Sequence, residues 1–183
     1  MRLEGSCHCG AVRFTVEAPH PAPFNLCYCS ICRKTAGAGG FAINVGALAE
    51  TLAVEGEEHL RVYHARMDDG STSPAGRRFC GLCGSPLWVW DPRWPELVHP
   101  HASAVDTALP VPPERTHMML ADRAAWVEPC LRAGDRSFER YPDESLEDWH
   151  RRPRLSARLT GAEAAGPLSR PCRRCQSSRL SSG

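Results

Sequence analysis

The chain has 183 residues, which is long enough for about one domain with a buried core. Apolar residues make up 42% and charged residues 23%, and no apolar run reaches 18 residues, so disordered, fibrous and membrane-spanning classes are excluded. The net charge of +1 is uneven: residues 1–149 carry 14 basic and 20 acidic side chains (net −6), whereas residues 150–183 carry 8 and 1 (net +7). The acidic body argues against nucleic-acid binding, and the absence of an apolar signal region leads us to expect a cytoplasmic protein.

Short strands separated by turn residues are predicted along the first 120 residues. Six segments show strand-like patterning: residues 11–16, 41–45, 52–54, 60–64, 86–90 and 116–120. One short helix is predicted over residues 30–36, stopped at Gly37. A longer helix is predicted over residues 142–151, because an acidic start and a basic end suit the helix dipole.

These elements predict a mainly β fold organised around metal. The expected domain covers residues 1–130, and a short helical extension covers residues 131–152. Residues 153–183 are rich in Ser, Arg, Gly and Pro and are expected to form a flexible basic tail.

Cysteines are the strongest chemical signal, and seven of the ten precede residue 84. Closely paired cysteines in a cytosolic chain are more often metal ligands than disulfides. Cys7 and Cys9 form a C-x-C pair, and an extended chain would place them on one side, roughly 6.5 Å apart, whereas tetrahedral zinc needs sulfurs about 3.8 Å apart. Cys80 and Cys83 form a C-x-x-C-G knuckle, whose glycines permit a tight turn. The two pairs together predict a closed, structural four-cysteine zinc site.

A second cluster, C-x-C-x-x-C, is formed by Cys27, Cys29 and Cys32. It supplies three thiolates and no evident fourth ligand, which is the pattern of a catalytic or exchange-labile zinc. Zinc with three thiolates has a net charge of −1, so it ionises water poorly and suits the binding and activation of a substrate thiolate. Two other interpretations stay open: a redox role, and a purely structural zinc completed by a distant ligand.

The three segments that carry these cysteines resemble the glutathione-dependent formaldehyde-activating enzyme family, which also includes centromere protein V. They read G-S-C-H-C-G-A-V-R-F at 5–14, C-Y-C-S-I-C-R-K-T-A-G at 27–37 and R-F-C-G-L-C-G-S-P-L-W at 78–88, followed by a weaker H-M-M-L…W at 117–126. The resemblance implies a zinc-bearing β-tent type of sheet domain with two zinc ions per chain. The implied ligands are Cys7, Cys9, Cys80 and Cys83 for the structural zinc, and Cys27, Cys29 and Cys32 for the second.

The resemblance also implies a carbon–sulfur lyase that reversibly condenses glutathione with formaldehyde to S-hydroxymethylglutathione. Cys27, Cys29 and Cys32 are then the catalytic ligands, because zinc would hold the glutathione thiolate that attacks the aldehyde carbon. A non-catalytic zinc module that binds protein or nucleic acid is the main alternative, and a thiol-handling enzyme with another small electrophile is a further one.

Substrate contacts are predicted beside the second cluster. Arg33 and Lys34 directly follow Cys32, and they either bind a substrate carboxylate such as that of glutathione, offset the negative site charge, or lie exposed without a role. The glycine-rich residues 37–40, including Gly39, are predicted to form a turn that lets the backbone approach the second zinc or its ligand; a plain loop is the alternative.

Other residues have structural interpretations. His99 and His101 are expected to be structural or exposed rather than ligands, and His117 to be packed and hydrogen-bonded. Trp88 and Trp90 lie on one side of a strand, either in the core or in the wall of a substrate cleft.

The remaining three cysteines lie outside both clusters. Cys172 and Cys175 are expected to be an adventitious or redox-active pair rather than a zinc site, and Cys130 an ordinary thiol.

Overall fold

Twelve short strands and two short α-helices organise residues 1–152, the part of the chain that the computed structural model describes. The strands are β1 (Arg2–Ser6), β2 (Arg13–Glu17), β3 (Phe24–Cys27), β4 (Ala42–Asn44), β5 (Ala47–Leu48), β6 (Ala53–Glu55), β7 (Leu60–Arg66), β8 (Thr72–Cys80), β9 (Pro86–Trp90), β10 (Leu97–Pro100), β11 (Arg115–Met118) and β12 (Arg136–Ser137). The helices are α1 (Ser30–Ala36) and α2 (Leu146–His150). The prediction of a mainly β fold is confirmed.

The strands form three sheets. One has the order β1-β2-β6 and one the order β5-β10-β9-β8-β7, and both are antiparallel. The third has the order β12-β11-β3-β4, in which β11 runs parallel to both β3 and β12.

The main core lies between the three-stranded and five-stranded sheets. Leu3, Phe14 and Val16 alternate with more exposed neighbours along β1 and β2, so every second side chain points inward. Phe14 packs edge-to-face on Trp88 of β9, with ring centroids 5.4 Å apart. Gly5 lies so close to Phe14 that a Cβ there would be 2.2 Å from the ring.

The four-stranded and five-stranded sheets meet where β4 and β10 end. Asn44 forms an isolated bridge with His101, and the Val45 N–H donates to the Pro100 carbonyl at 2.9 Å. The Asn44 amide oxygen also lies 3.0 Å from His101 Nδ1. These contacts place the end of β10 and the following His101 beside β4, which pairs with the strand β3 that ends at Cys27.

The predicted elements agree with the structure unevenly. Helix α1 and strand β9 have the predicted bounds. The prediction of a helix over residues 142–151 is wrong at its start, because α2 begins at Leu146. Ser145 caps that helix by accepting the Asp148 N–H, and the preceding Asp143 and Glu144 pair instead with Arg136.

Residues 131–152 pack against the preceding sheets. Strand β12 extends the four-stranded sheet, and the Trp149 indole is buried and donates to Glu114 at 2.8 Å. The domain bounds at 130 and 152 stay a prediction, and Cys172, Cys175 and the basic tail lie outside the described residues. Neither α-helix within residues 1–152 is long and apolar enough to cross a membrane.

Candidate metal centres

Four cysteines from two distant segments converge at one end of the main core. The Sγ atoms of Cys7, Cys9, Cys80 and Cys83 all lie within 4.8 Å of one another. Cys7 Sγ is 3.5 Å from Cys9 Sγ, which is 3.8 Å from Cys80 Sγ. Zinc–sulfur bonds of about 2.3 Å in a tetrahedron require sulfurs about 3.8 Å apart, so this donor set fits one zinc ion.

The turns that carry these cysteines explain their convergence. The predicted extended geometry of Cys7 and Cys9 is wrong, because both lie in the turn that joins β1 to β2. Gly10 has a φ of +75° in that turn, and its N–H donates to the Cys7 carbonyl at 2.9 Å. Gly84 has a φ of +76° in the second turn and donates to the Cys80 carbonyl at 2.8 Å.

Ser85 connects the two turns of this cluster. Its hydroxyl lies 3.2 Å from Cys83 Sγ and accepts the His8 N–H at 3.1 Å. Hydrogen bonds from the Ser85 side chain and backbone lower the pKa of Cys83 to about 5. A lowered thiol pKa favours the thiolate, which is the form that binds metal.

The second cluster sits where β3 passes into α1. Cys27 is the last residue of β3, Cys29 caps α1, and Cys32 lies in the first turn of that helix. Cys29 Sγ accepts the Cys32 N–H at 3.3 Å and is 3.6 Å from Cys27 Sγ. All three sulfurs lie within 4.8 Å of one another, so local chain geometry alone assembles them.

Within residues 1–152, no further His, Cys, Asp or Glu completes this three-cysteine group. Cys27 and Cys32 are buried, whereas Cys29 is half-buried. Hydrogen bonds from Cys27 and Cys32 lower the pKa of Cys29 to about 2, and the same close approach raises the pKa of Cys27. Such mutual perturbation is expected where several ionisable thiols lie close together.

A buried series of polar side chains supports the loop that carries this cluster. The Tyr28 hydroxyl lies 2.8 Å from Nδ1 of His117, and both residues are fully buried. Asp135 Oδ2 lies 3.4 Å from His117 Nε2 and accepts a hydrogen bond from Arg115 Nε at 2.9 Å. His117 is therefore packed and hydrogen-bonded, and Tyr28 anchors the backbone between Cys27 and Cys29.

Replacement of Asp135 by Asn is expected to lower the free energy of unfolding by about 2 kcal/mol at neutral pH. Burial alone would raise the pKa of Asp135, but hydrogen bonds from Arg115 and the Arg132 backbone lower it to about 2. A depressed carboxyl pKa stabilises the fold above the unfolded value near 4, and this stability is lost as pH falls towards 2.

Urea unfolding between pH 7 and pH 2 measures this effect. The wild type is expected to lose more stability than Asp135→Asn over the acidic half of that range, and parallel profiles would contradict the assignment. The exposed Asp68→Asn serves as a control, because no hydrogen bond or ion pair of its side chain is present within residues 1–152.

Polar residues from outside the cysteine motifs act on the three-cysteine cluster. Arg77 of β8 is close enough to Cys32 for its positive charge to act on that thiol. Burial raises the pKa of Tyr141, and the charges of the three cluster thiols raise it further. The positive charge of Arg93 lowers the Tyr141 pKa and partly offsets these effects. Arg77, Arg93 and Tyr141 could not be predicted at this site from the sequence, because none belongs to the cysteine motifs.

The structure places the predicted substrate residues on or just after α1. Arg33 is half-buried, and its Nε is buried without a hydrogen-bond partner among the described residues. Lys34 and Gly39 are exposed. Residues 37–40 form a hydrogen-bonded turn, in which Gly40 has a φ of +102° beside Val127. The roles of Arg33, Lys34 and Gly39 in substrate binding stay predictions.

Trp88 and Trp90 lie on the face of the five-stranded sheet that is opposite to Arg77. Trp88 is buried against Phe14, and Trp90 is half-buried. Both line a cavity of about 470 Å³ together with Arg78 and apolar residues of β6 and β10. Trp88 therefore belongs to the core, and this cavity faces away from the side of the sheet that carries Arg77.

The mainly β scaffold with two converging cysteine clusters defines a class of proteins whose cysteines could hold metal ions. The family model described as "Glutathione-dependent formaldehyde-activating enzyme" matches residues 2–122. A Halomonas elongata protein named "Putative glutathione-dependent formaldehyde-activating enzyme" is 63% identical over 152 residues, which cover 83% of this chain and 96% of that relative. The chain belongs to the glutathione-dependent formaldehyde-activating enzyme family, and the prediction of that family is confirmed.

The chain is also similar to one solved structure. The crystal structure of a Rhodobacter sphaeroides protein is 30% identical and has a TM-score of 0.47, covering 60% of this chain and 92% of that one.

Proposed function

We propose that this chain is a zinc-dependent carbon–sulfur lyase that condenses glutathione with formaldehyde to S-hydroxymethylglutathione. The observation that carries the proposal is the three-cysteine cluster of Cys27, Cys29 and Cys32, which no fourth side chain ligand completes within residues 1–152. Three protein ligands leave one tetrahedral position for an exogenous ligand. Family membership supplies glutathione and formaldehyde as the substrates to test first.

The four-cysteine cluster has a different proposed role. Cys7, Cys9, Cys80 and Cys83 provide a complete tetrahedral donor set from two turns that are more than 70 residues apart. A closed site of this kind would connect β1 and β2 to β8 and β9 and stabilise a β-tent type of fold.

Zinc bound by Cys27, Cys29 and Cys32 would supply an open coordination position that favours the thiolate form of glutathione. The glutathione sulfur then forms a bond to the formaldehyde carbon, and the carbonyl π electrons move to oxygen. That oxygen takes up one proton, which balances the proton lost by the thiol, so no oxidant or reductant is needed. The thiolate-rich site suits this step because it disfavours ionisation of water.

The chain's own residues hold the reaction geometry. Tyr28 and His117 fix the loop between Cys27 and Cys29, and the α1 backbone fixes Cys32. We propose that Arg33, Lys34 and the exposed turn around Gly39 contribute substrate contacts on the α1 side. Holding thiol and aldehyde together supplies the proximity part of the rate enhancement.

The experiment is adduct formation followed by ¹³C NMR with labelled formaldehyde, because thiol and aldehyde also combine without a catalyst. Exchange spectroscopy at equilibrium should show faster interconversion of glutathione and S-hydroxymethylglutathione with the metal-loaded chain than with buffer. Acceleration that disappears on chelation and returns with zinc supports the proposal. An exchange rate equal to that of buffer would overturn formaldehyde as substrate, and acceleration with another aldehyde would then indicate a different electrophile.

A further inference from the structure

One face of the five-stranded sheet carries two polar side chains in a single lateral row, and one of them, Arg77, lies close to the three-cysteine cluster. Arg77 of β8 pairs in register with Val89 of β9, and Val89 pairs with His99 of β10. Residues in one lateral row share a face, so Arg77 and His99 flank Val89 on the same side of the sheet, with Cα atoms about 10 Å apart. Asp91 directly follows β9 and is close enough to Arg77 to feel its positive charge.

Both ends of this row carry an unused hydrogen-bonding atom. Arg77 Nη1 and His99 Nδ1 are buried, and neither has a hydrogen-bond partner within residues 1–152. Leaving a buried donor unsatisfied costs about 1–3 kcal/mol, so such atoms in a native fold require an explanation. A bound ligand is one such explanation.

The neighbouring carboxylate does not satisfy Arg77. Asp91 is buried, and both of its oxygens are taken by Arg93, through Nε at 3.0 Å, Nη2 at 2.6 Å and the backbone N–H at 3.0 Å. No ion pair within the described residues includes Arg77, although its charge acts on Asp91, His101 and Cys32. Asp91, the acidic residue nearest this row, therefore does not supply the hydrogen bond that Arg77 Nη1 lacks.

We propose that Arg77, with His99 beside it, forms the subsite that receives a carboxylate of the substrate thiol while its sulfur enters the three-cysteine site. The inference rests on the proposed function and adds the residues that select an anionic thiol. A guanidinium pairs with carboxylate through two parallel N–H donors, which lysine cannot do. His99 is kept neutral because burial lowers its pKa, so it contributes a hydrogen bond rather than charge.

The test compares binding of glutathione with binding of its diethyl ester, which has the same thiol and no free carboxylate. Calorimetric titration of the zinc-loaded chain is expected to show about tenfold or greater preference for glutathione. In Arg77→Gln this preference should fall to about unity. Arg77→Lys should keep part of it, because the charge remains but the paired donors do not.

The neighbouring Arg78→Gln is the matched control. Arg78 lies on the opposite face of β8, where it lines the cavity beside Trp88 and Trp90. This variant should keep the full preference for glutathione over the ester. Circular dichroism confirms that each variant is folded before titration.

Two results would overturn the subsite: no preference in the wild type, or a preference that Arg77→Gln retains. Failure of the proposed function is distinguishable, because it is measured as the absence of accelerated adduct exchange. A wild type that prefers glutathione through Arg77 yet does not accelerate exchange would support the subsite and exclude the formaldehyde reaction.

Discussion

Cys83→Ser is expected to empty the four-cysteine site and destabilise the whole domain. Structural zinc sites bind with about 10–16 kcal/mol, and if each ligand carries about a quarter, the loss is about 3 kcal/mol. Cys83 is an exposed residue, so its substitution removes little packing. A large loss of stability at this surface position would therefore report on metal binding.

Urea unfolding and metal content of the purified variant measure this effect together. Cys130→Ser is the matched control, because Cys130 is exposed and belongs to neither cluster. The control should keep the wild-type metal content, so only Cys83→Ser should combine loss of stability with loss of metal. If Cys83→Ser kept the wild-type unfolding midpoint, the four-cysteine cluster would not be a structural metal site.

Cys32→Ser is expected to remove catalysis while the fold remains. Loss of this ligand leaves two thiolates, so metal affinity and thiol activation should both fall, and we expect the accelerated exchange to drop at least about 100-fold. The fold should survive, because Cys27, Cys29 and Cys32 lie within six residues and connect no distant segments. Stability should change by only about 1 kcal/mol for a single buried thiol.

Exchange spectroscopy and urea unfolding of Cys32→Ser and Cys83→Ser together separate the two clusters. Inactivity with near-wild-type stability is the predicted pattern for Cys32→Ser. Equal destabilisation by both variants would show that the three-cysteine cluster is structural too.

The local parts of the candidate site could be predicted from sequence. Short spacings determine which thiols can meet, so the sequence alone predicts that Cys27, Cys29 and Cys32 form one cluster. The bounds of α1 were predicted because residues 30–36 are followed by Gly37, which ends the helix. The backbone geometry of Cys7 and Cys9 could not be predicted from the sequence, because a C-x-C pair fits an extended chain as well as a turn.

The long-range parts of the site could not be predicted from one sequence. Tyr28 and His117 meet because β3 and β11 run parallel, although 89 residues separate them. The alternation of β8 places Arg77 and Arg78 on opposite faces, but only the contact of His101 with Asn44 and the approach of Arg77 to Cys32 show which face meets the cluster. Asp135 lies beside His117 and so helps to support the Cys27–Cys29 loop, although its segment carries no recognisable motif.

Zinc stoichiometry with and without glutathione is the first measurement to make on this chain. We expect about two zinc ions per chain, of which one is perturbed or released by glutathione and is absent from Cys32→Ser. This result would distinguish a closed four-cysteine site from a thiol-accepting three-cysteine site. A count near two that glutathione leaves unchanged would show that both metals are structural, and the three-cysteine cluster would then not accept a thiol.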